Sequence, residues 1–202
     1  APGPAVLIGF LRHGPTDWNA ERRLQGRTDR PLSESGRAQA ARYRLPEAFR
    51  SVPVLVSPLE RARETAALAG CAALEEEPLL IEMDWGDWEG RRLSDLRSQF
   101  GTEMKLNEDR GLDFRPPGGE SPRDVQVRLQ TFFDKLRGRR PVPECCLAVT
   151  HKGVIRAAMA LAWGWNMLGK PPVRLDWTAL HMIRLEPDGT IRPDALNVSL
   201  LP

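Results

Sequence analysis

Three short apolar runs constrain the fold of this chain most. Val6-Leu7-Ile8-Gly9-Phe10-Leu11, Val52 to Val56 and Cys145 to Val149 lack the alternation of a strand with one wet face. Uninterrupted runs of this length are strands covered on both sides, as in a sheet with helices above and below. Helical segments fall between them. Ser33 is placed to N-cap a helix through Ala38, Ala41 and Tyr43. Ser57-Pro58-Leu59-Glu60 has the form of a capping box and predicts a helix from Arg61 to about Ala69. Ser121-Pro122 opens another, with Val125, Leu129, Phe132, Phe133 and Leu136 as its apolar stripe. Shorter helices are predicted over Leu93 to Phe100 and Gly153 to Trp163. Leu79 to Glu82 reads as a third strand. Trp177 to Leu185 alternates, and Pro187-Asp188-Gly189-Thr190 turns the chain into a last strand pair. The alternation predicts one α/β domain over residues 1–202.

In open α/β sheets, ligands bind beyond the carboxyl ends of the strands. Here the first run ends at Arg12-His13, the second at Ser57 one turn before Arg61, the third at Glu82 and the fourth at His151. A largely parallel sheet gathers all of these along one edge. Arginine forks match phosphate oxygens, and helix N-termini after Ser57 and His151 add N–H donors. There is no Walker loop and no H-E-x-x-H pair, so no nucleotide cradle and no metal are expected. Histidine is a competent nucleophile when neutral, and nearby arginines favour the neutral ring. A backbone carbonyl on one ring nitrogen aims the other at phosphorus. Glu82 is the candidate acid for the leaving oxygen, with Asp84 and Glu89 as nearby rivals. Its pKa has to rise against the pull of the arginines, through burial or the substrate's charge.

The residues also carry a resemblance. "LRHGPTDWN", "RRLQGRTDRPLSESGRAQA", "VLVSPLERARETAALAG", "IEMDWGDWEG", "RPPGGES" and "AVTHKGVIRA" occur in order and resemble the motifs of the histidine phosphatase superfamily, in its phosphoglycerate mutase-like branch. The likeness runs from about Val6 to about Trp163. It implies a three-layer α/β/α sandwich with a mostly parallel central sheet. It implies a phosphohistidine nucleophile at His13, a phosphate pocket of Arg12, Arg61 and His151, a proton donor at Glu82, and site-lining positions at Asn19, Gln25 and Gly26. No cofactor is implied. Pro15 stands where members more often have Glu, and "AERRLQG" replaces the "ENRF-x-G" form of the metabolic mutases. The chain is therefore closer to the broad phosphatase members, such as α-ribazole phosphatase. The expectation is a metal-independent phosphomonoesterase of the histidine acid phosphatase type, acting on a small phosphorylated metabolite. The alternatives are a phosphoglycerate-type mutase, which excludes water from the phosphohistidine, and a non-catalytic phospho-ligand-binding module.

The remaining features set the surroundings. A net charge of +2 without a polybasic run points to neither nucleic acid nor a membrane surface. No apolar stretch approaches the roughly 18 residues of a membrane span. Cys71, Cys145 and Cys146 form no C-x-x-C pair, and a reducing cytoplasm is the expected setting. Cys145 and Cys146 are expected to be inert in a buried strand, and His181 to be a packed structural histidine beside Trp177. Trp85 and Trp88 are expected in the core or the site wall, and Arg63 and Glu64 in solvated or ion-paired helix positions. Residues 91–119 read as an irregular lid that carries selectivity together with the loop from Trp163 to Asp176. Arg91, Arg92, Lys105, Arg110 and Arg115 are expected to be mostly solvated, with one or two reaching substrate. The apolar C-terminal strands offer a surface for pairing in a homodimer.

Overall fold

Side chains that alternate between two apolar clusters along each central strand set the layering. The computed structural model describes residues 3–202. In chain order the elements are β1 (Val6–Arg12), α1 (Asp17–Ala20), α2 (Glu34–Ala41), β2 (Val54–Val56), α3 (Glu60–Leu68), β3 (Leu74–Glu76), α4 (Leu93–Phe100), α5 (Thr102–Glu108), α6 (Pro122–Gly138), β4 (Cys145–Thr150), α7 (Lys152–Trp163), β5 (Ala179–Leu185), β6 (Ile191–Pro193) and β7 (Val198–Ser199). The strand order is β3-β2-β4-β1-β5-β6, with β7 also paired to β5. The first four strands of that order run parallel, and β5 to β7 add antiparallel pairs.

Ile8 and Phe10 of β1, with Cys146 and Ala148 of β4, face α6 and α7 and pack among Leu129, Phe132, Phe133 and Ile155. Leu11, Leu147 and Val149 face the other way, among Ala40, Phe49, Ala62 and Ala66 on the side of α2 and α3. This is the expected three-layer α/β/α sandwich with a mostly parallel sheet, and its two cores meet only through the sheet.

Three local expectations change. Ser57 does not cap α3, which begins at Glu60. The amide of Glu60 donates instead to Asp29 Oδ1 (2.8 Å), and the Ser57 hydroxyl is drawn to His151. The third strand is Leu74–Glu76, not Leu79 to Glu82. Pro78 brings no N–H to a ladder, and Pro78–Leu80 forms a 3-10 turn that leaves Glu82 on a loop. That loop is anchored because Arg128 donates to the Leu79 carbonyl (2.6 Å) and Thr150 Oγ1 to the Leu80 carbonyl (2.6 Å). Residues 91–119 are not irregular. They hold α4, α5 and a 3-10 turn at Gly111–Asp113, packed on a small core of Trp88, Leu96 and Met104. The C-terminal strands β6 and β7 both pair with β5, which pairs with β1 as well. Smaller shifts place the start of β2 at Val54 and that of α7 at Lys152.

The layering predicts where truncation hurts. Leu147→Ala on the central strand β4 removes a fully buried side chain and is expected to cost about 3 kcal/mol in denaturant unfolding. Val127→Ala on α6, where the side chain is 65% exposed, is expected to stay within about 0.5 kcal/mol.

Candidate active site

β1 and β4 lie side by side with Arg12 opposite Thr150, so the next residues, His13 and His151, leave the sheet together. The His13 amide donates to the Thr150 carbonyl (3.1 Å), and the two imidazole centroids are 5.3 Å apart. His13 is buried, and its Nδ1 lies 2.6 Å from the Gly14 carbonyl. A carbonyl only accepts, so Nδ1 carries the proton and Nε2 keeps its lone pair. Burial, then Arg12 and Arg61, hold the His13 pKa well below the ordinary 6.5. The ring is therefore neutral at physiological pH, as a nitrogen nucleophile must be. His151 is pushed the same way by burial and then Arg61. Its Nε2 meets Ser57 Oγ at 2.7 Å, while its Nδ1 is buried with no partner.

Arg61 comes from α3 and is fully buried. It donates to the carbonyls of Gly26 (2.6 Å) and Thr28 (2.8 Å), and no carboxylate pairs with it. Those carbonyls are aimed by Glu89, whose carboxylate accepts from the amides of Arg27, Thr28 and Trp85 and from Thr28 Oγ1 (2.6 Å). Gly26 has φ +53°, and a Cβ there would sit 2.3 Å from Glu89 Oε2, so only glycine lets the loop close on that carboxylate. Arg12 contributes a second guanidinium, stacked 5.5 Å from the Trp177 ring centroid, with its Nε buried and unpartnered. Burial lowers the pKa of both arginines, and Glu82 pulls both back up.

Glu82 is 8% exposed, and its two oxygens accept from the amides of Met83 (2.7 Å) and Gly153 (3.2 Å). A side chain at 153 would bring a Cβ to 2.4 Å from Glu82 Oε1, so the glycine in the first turn of α7 lets the Glu82 carboxyl lie against the helix end. Burial raises the Glu82 pKa above its ordinary 4.5, against the Met83 amide and Arg61, which lower it.

These groups line one cavity of about 460 Å³: Arg12, His13, Arg61 and Glu82 with Asn19, Gln25 and Gly26, as the sequence predicts, and Arg22, Arg23, Lys152 and Arg156, which it does not. His151 stands behind His13. Asn19 Oδ1 accepts from the Thr16 amide, and Gln25 Oε1 from Thr16 Oγ1, so both amide side chains are oriented by Thr16. Their NH₂ ends remain for the cavity. Of the rivals to Glu82, Glu89 supports the loop, and Asp84 takes the Gly86 amide (2.8 Å). Neither lines the cavity.

Trp85 walls the cavity and Trp88 is buried in the small core below it. His181 is fully buried and bonded to the Asp176 carbonyl and the Asn197 amide, a structural histidine as expected. Glu64 accepts from Arg37 and the Leu32 amide. Cys146 is buried with its thiol pushed up to about 12. The lid cations are turned elsewhere: Arg91 to Gln99, Arg92 to the Glu21 carbonyl, Lys105 to Asp109 and Arg115 to Asp124. Arg110 lines a different cavity, with Trp88 and Phe100. Ser57, Glu89 and Arg156 carry no sequence signal of their function in isolation. The spacing of Lys152 and Arg156, one helical turn apart, is the one pattern that marks a shared face. Among the described residues no three His, Cys, Asp or Glu side chains come together as a metal-binding group, and no helix is long and apolar enough to cross a membrane.

A site of two neutral histidines, one buried and one part-buried guanidinium and one raised carboxyl can bind a phosphoryl group, attack it and protonate what leaves. Comparison with known proteins points to the same chemistry. The sequence model of the histidine phosphatase superfamily (branch 1) matches residues 8–197. A 2,3-bisphosphoglycerate-dependent phosphoglycerate mutase 2 of Gloeobacter violaceus is 34% identical over 164 residues, covering 76% of this chain and 74% of its own. The crystal structure of a putative α-ribazole-5′-P phosphatase from Escherichia coli superposes with a TM-score of 0.79 at 26% identity, over 98% of each chain. A mycobacterial glucosyl-3-phosphoglycerate phosphatase superposes with a TM-score of 0.76 at 27% identity, over 96% of this chain and 100% of its own.

The depressed histidines link stability to pH. Below about 6.5 the unfolded chain takes up protons that the folded chain refuses. Stability is therefore full above that value and falls on acidification by up to about 1.4 kcal/mol per pH unit for each histidine. Glu82 acts oppositely, its contribution being full below 4.5 and lost as pH rises through its raised folded value. Urea unfolding midpoints are expected to drop between about pH 7 and pH 5.5, and the drop to shrink in His151→Gln. Parallel pH profiles for the two proteins would mean that His151 is not held neutral.

Proposed function

The chain belongs to the histidine phosphatase superfamily, and on that premise we propose that it is a phosphomonoester hydrolase acting through a phosphohistidine on a small phosphorylated metabolite. Membership alone supports a phosphatase or a mutase. The observation that carries the reading is the His13 tautomer: Nδ1 is tied to the Gly14 carbonyl at 2.6 Å, and a neutral Nε2 is left between two guanidiniums.

In this mechanism the Arg12 and Arg61 guanidiniums hold the phosphoryl oxygens, with charge-assisted donors that strengthen as negative charge develops in the transition state, and His151 adds a neutral donor from behind His13. Asn19 and Gln25 add neutral amide donors, and the Gly26 carbonyl keeps Arg61 in place. His13 Nε2 attacks phosphorus in line. The P–O bond to the alcohol breaks, and Glu82 gives its proton to the departing oxygen. Water then attacks the phosphohistidine, Glu82 takes one of its protons, and the P–N bond breaks to return neutral His13. The arginines supply the positive charge that a metal ion would otherwise bring, so hydrolysis is independent of metal.

The mutase reading has support in the Gloeobacter relative's name. The two differ in what accepts the phosphoryl group, water or a second hydroxyl. A mutase isomerises rapidly with a bisphosphorylated primer and hydrolyses slowly. Hydrolysis is the better match because the cavity's rim carries solvent-exposed Arg22 and Lys152 rather than an apolar seal.

His13→Ala is expected to abolish release of 4-nitrophenolate from 4-nitrophenyl phosphate, and a chelator to leave the unaltered protein fully active. Glu82→Gln is expected to lower turnover of an alkyl phosphate by about 10²- to 10⁴-fold. With the nitrophenyl ester, whose leaving group needs no proton, it should still give a burst near one equivalent followed by slow turnover. Full activity in His13→Ala would refute the mechanism.

A further inference from the structure

The cavity holds more positive charge than one phosphate monoester uses. Arg12 and Arg61 serve the phosphoryl group in the proposed reaction. Arg23 donates to the Gly90 carbonyl (2.9 Å) and approaches Glu21. Arg156 has neither an ion pair nor a hydrogen bond among the described residues, although it is half-buried and burial alone lowers its pKa. Lys152, one turn back on the same face of α7, is exposed and also unpaired. Holding a partly desolvated guanidinium without a counter-charge is costly, and an arriving anion removes the cost.

The surroundings of these two cations are built rather than open. A second cavity of about 310 Å³ adjoins the first and shares Lys152 and Arg156 with it. Its walls include Trp163, Trp165 and Trp177. The Lys152 ammonium lies 5.6 Å from the Trp177 ring centroid and the Arg156 guanidinium 6.0 Å from that of Trp165. Trp177 carries Arg12 as well, so one indole links the phosphate clamp to the second pair of cations. Stacking fixes side chains that would otherwise be mobile and leaves their N–H groups for a ligand. Within residues 91–119, by contrast, Arg91, Arg92, Arg97, Lys105 and Arg115 are directed at Gln99, the Glu21 carbonyl, Glu108, Asp109 and Asp124.

We propose that Arg156 and Lys152, backed by Trp165 and Trp177, form a second anion subsite that receives a carboxylate or phosphate group carried by the leaving alcohol. The proposal rests on the phosphomonoesterase reading and names its substrate class: small phosphate esters with a second negative group. The two cations are four positions apart, about 6 Å along the helix axis, so both can reach one anionic group, and because they line the same cavity as Arg12 and Arg61 that group belongs to a small substrate. Selectivity then comes from α7 and the tryptophan loop, not from the lid.

The test compares phenyl phosphate, 4-carboxyphenyl phosphate and 1,4-phenylene bisphosphate on the full chain. The unaltered protein is expected to prefer one or both dianionic-frame esters over phenyl phosphate by about tenfold or more in kcat/KM, and the larger preference identifies the group. Arg156→Met is expected to cut that preference about 10- to 100-fold, through KM, with Arg156→Lys restoring part of it. Arg115→Met in the lid is expected to leave the preference in place. Equal losses on all three esters, no preference in the unaltered protein, or a preference that follows Arg115 would each overturn the subsite. If no ester is turned over, the hydrolase reading fails by itself. Calorimetric affinities for the same three esters then decide the subsite: tighter binding of the charged esters that is lost in Arg156→Met upholds it, and equal affinities refute it.

Discussion

A guanidinium buried without a carboxylate is the constraint on which the rest of this site depends. Arg61 is fully inside the protein, its two terminal nitrogens donate to the backbone carbonyls of Gly26 and Thr28, and its Nε is buried without a partner. A carboxylate in their place would neutralise the charge that an incoming phosphate needs. Carbonyls take two of the donors and leave the charge. The cost passes to the loop, which must present two carbonyls in one direction. Glu89 does this from outside the cavity by taking the loop's amides, and a left-handed glycine lets the chain close over it. Positive charge, loop geometry and an external carboxylate therefore form one device.

That charge then sets the protonation of its neighbours. His13 and His151 share a buried edge with Arg12 and Arg61, and burial and like charge push both imidazoles toward the neutral form. Glu82 stands in the same field with the opposite response: burial favours its neutral form and the arginines oppose it. One environment thus produces an unprotonated base and a raised acid, the pairing that attack and departure require.

Much of this was legible in the sequence because strand ends are. The apolar runs that stop at His13 and His151 place both residues on one sheet edge once the strands are parallel, and the register of β1 on β4 delivers them together. Arg61 was legible because its helix follows the next strand. Glu82 was found as a residue but misplaced as a strand end, since Pro78 breaks the ladder and the loop is held by Arg128 and Thr150 from far along the chain. Ser57 looked like a helix cap, a local role, and was claimed by His151, a partner 94 positions away. Glu89 and Arg156 were illegible for the same reason. Their meaning lies in what they touch or fail to touch across the fold, and no periodicity encodes an absent counter-ion.

In the proposed mechanism one tension remains: Glu82 acts as an acid amid the arginines that lower its pKa. Both of its oxygens already accept an amide, from Met83 and from Gly153. Each carboxylate oxygen has a further lone pair, so a proton can be added without breaking either bond. The substrate completes the adjustment. A phosphate dianion between Arg12 and Arg61 offsets the two charges that depress Glu82 and adds negative charge beside it, and both effects raise its pKa further. The same dianion would favour a proton on His13. There, burial is the largest influence, and the ring's one proton is already committed to the Gly14 carbonyl. In the proposed reaction, phosphate binding thus loads Glu82 while His13 Nε2 stays free, so the acid is armed by the ligand it would act on.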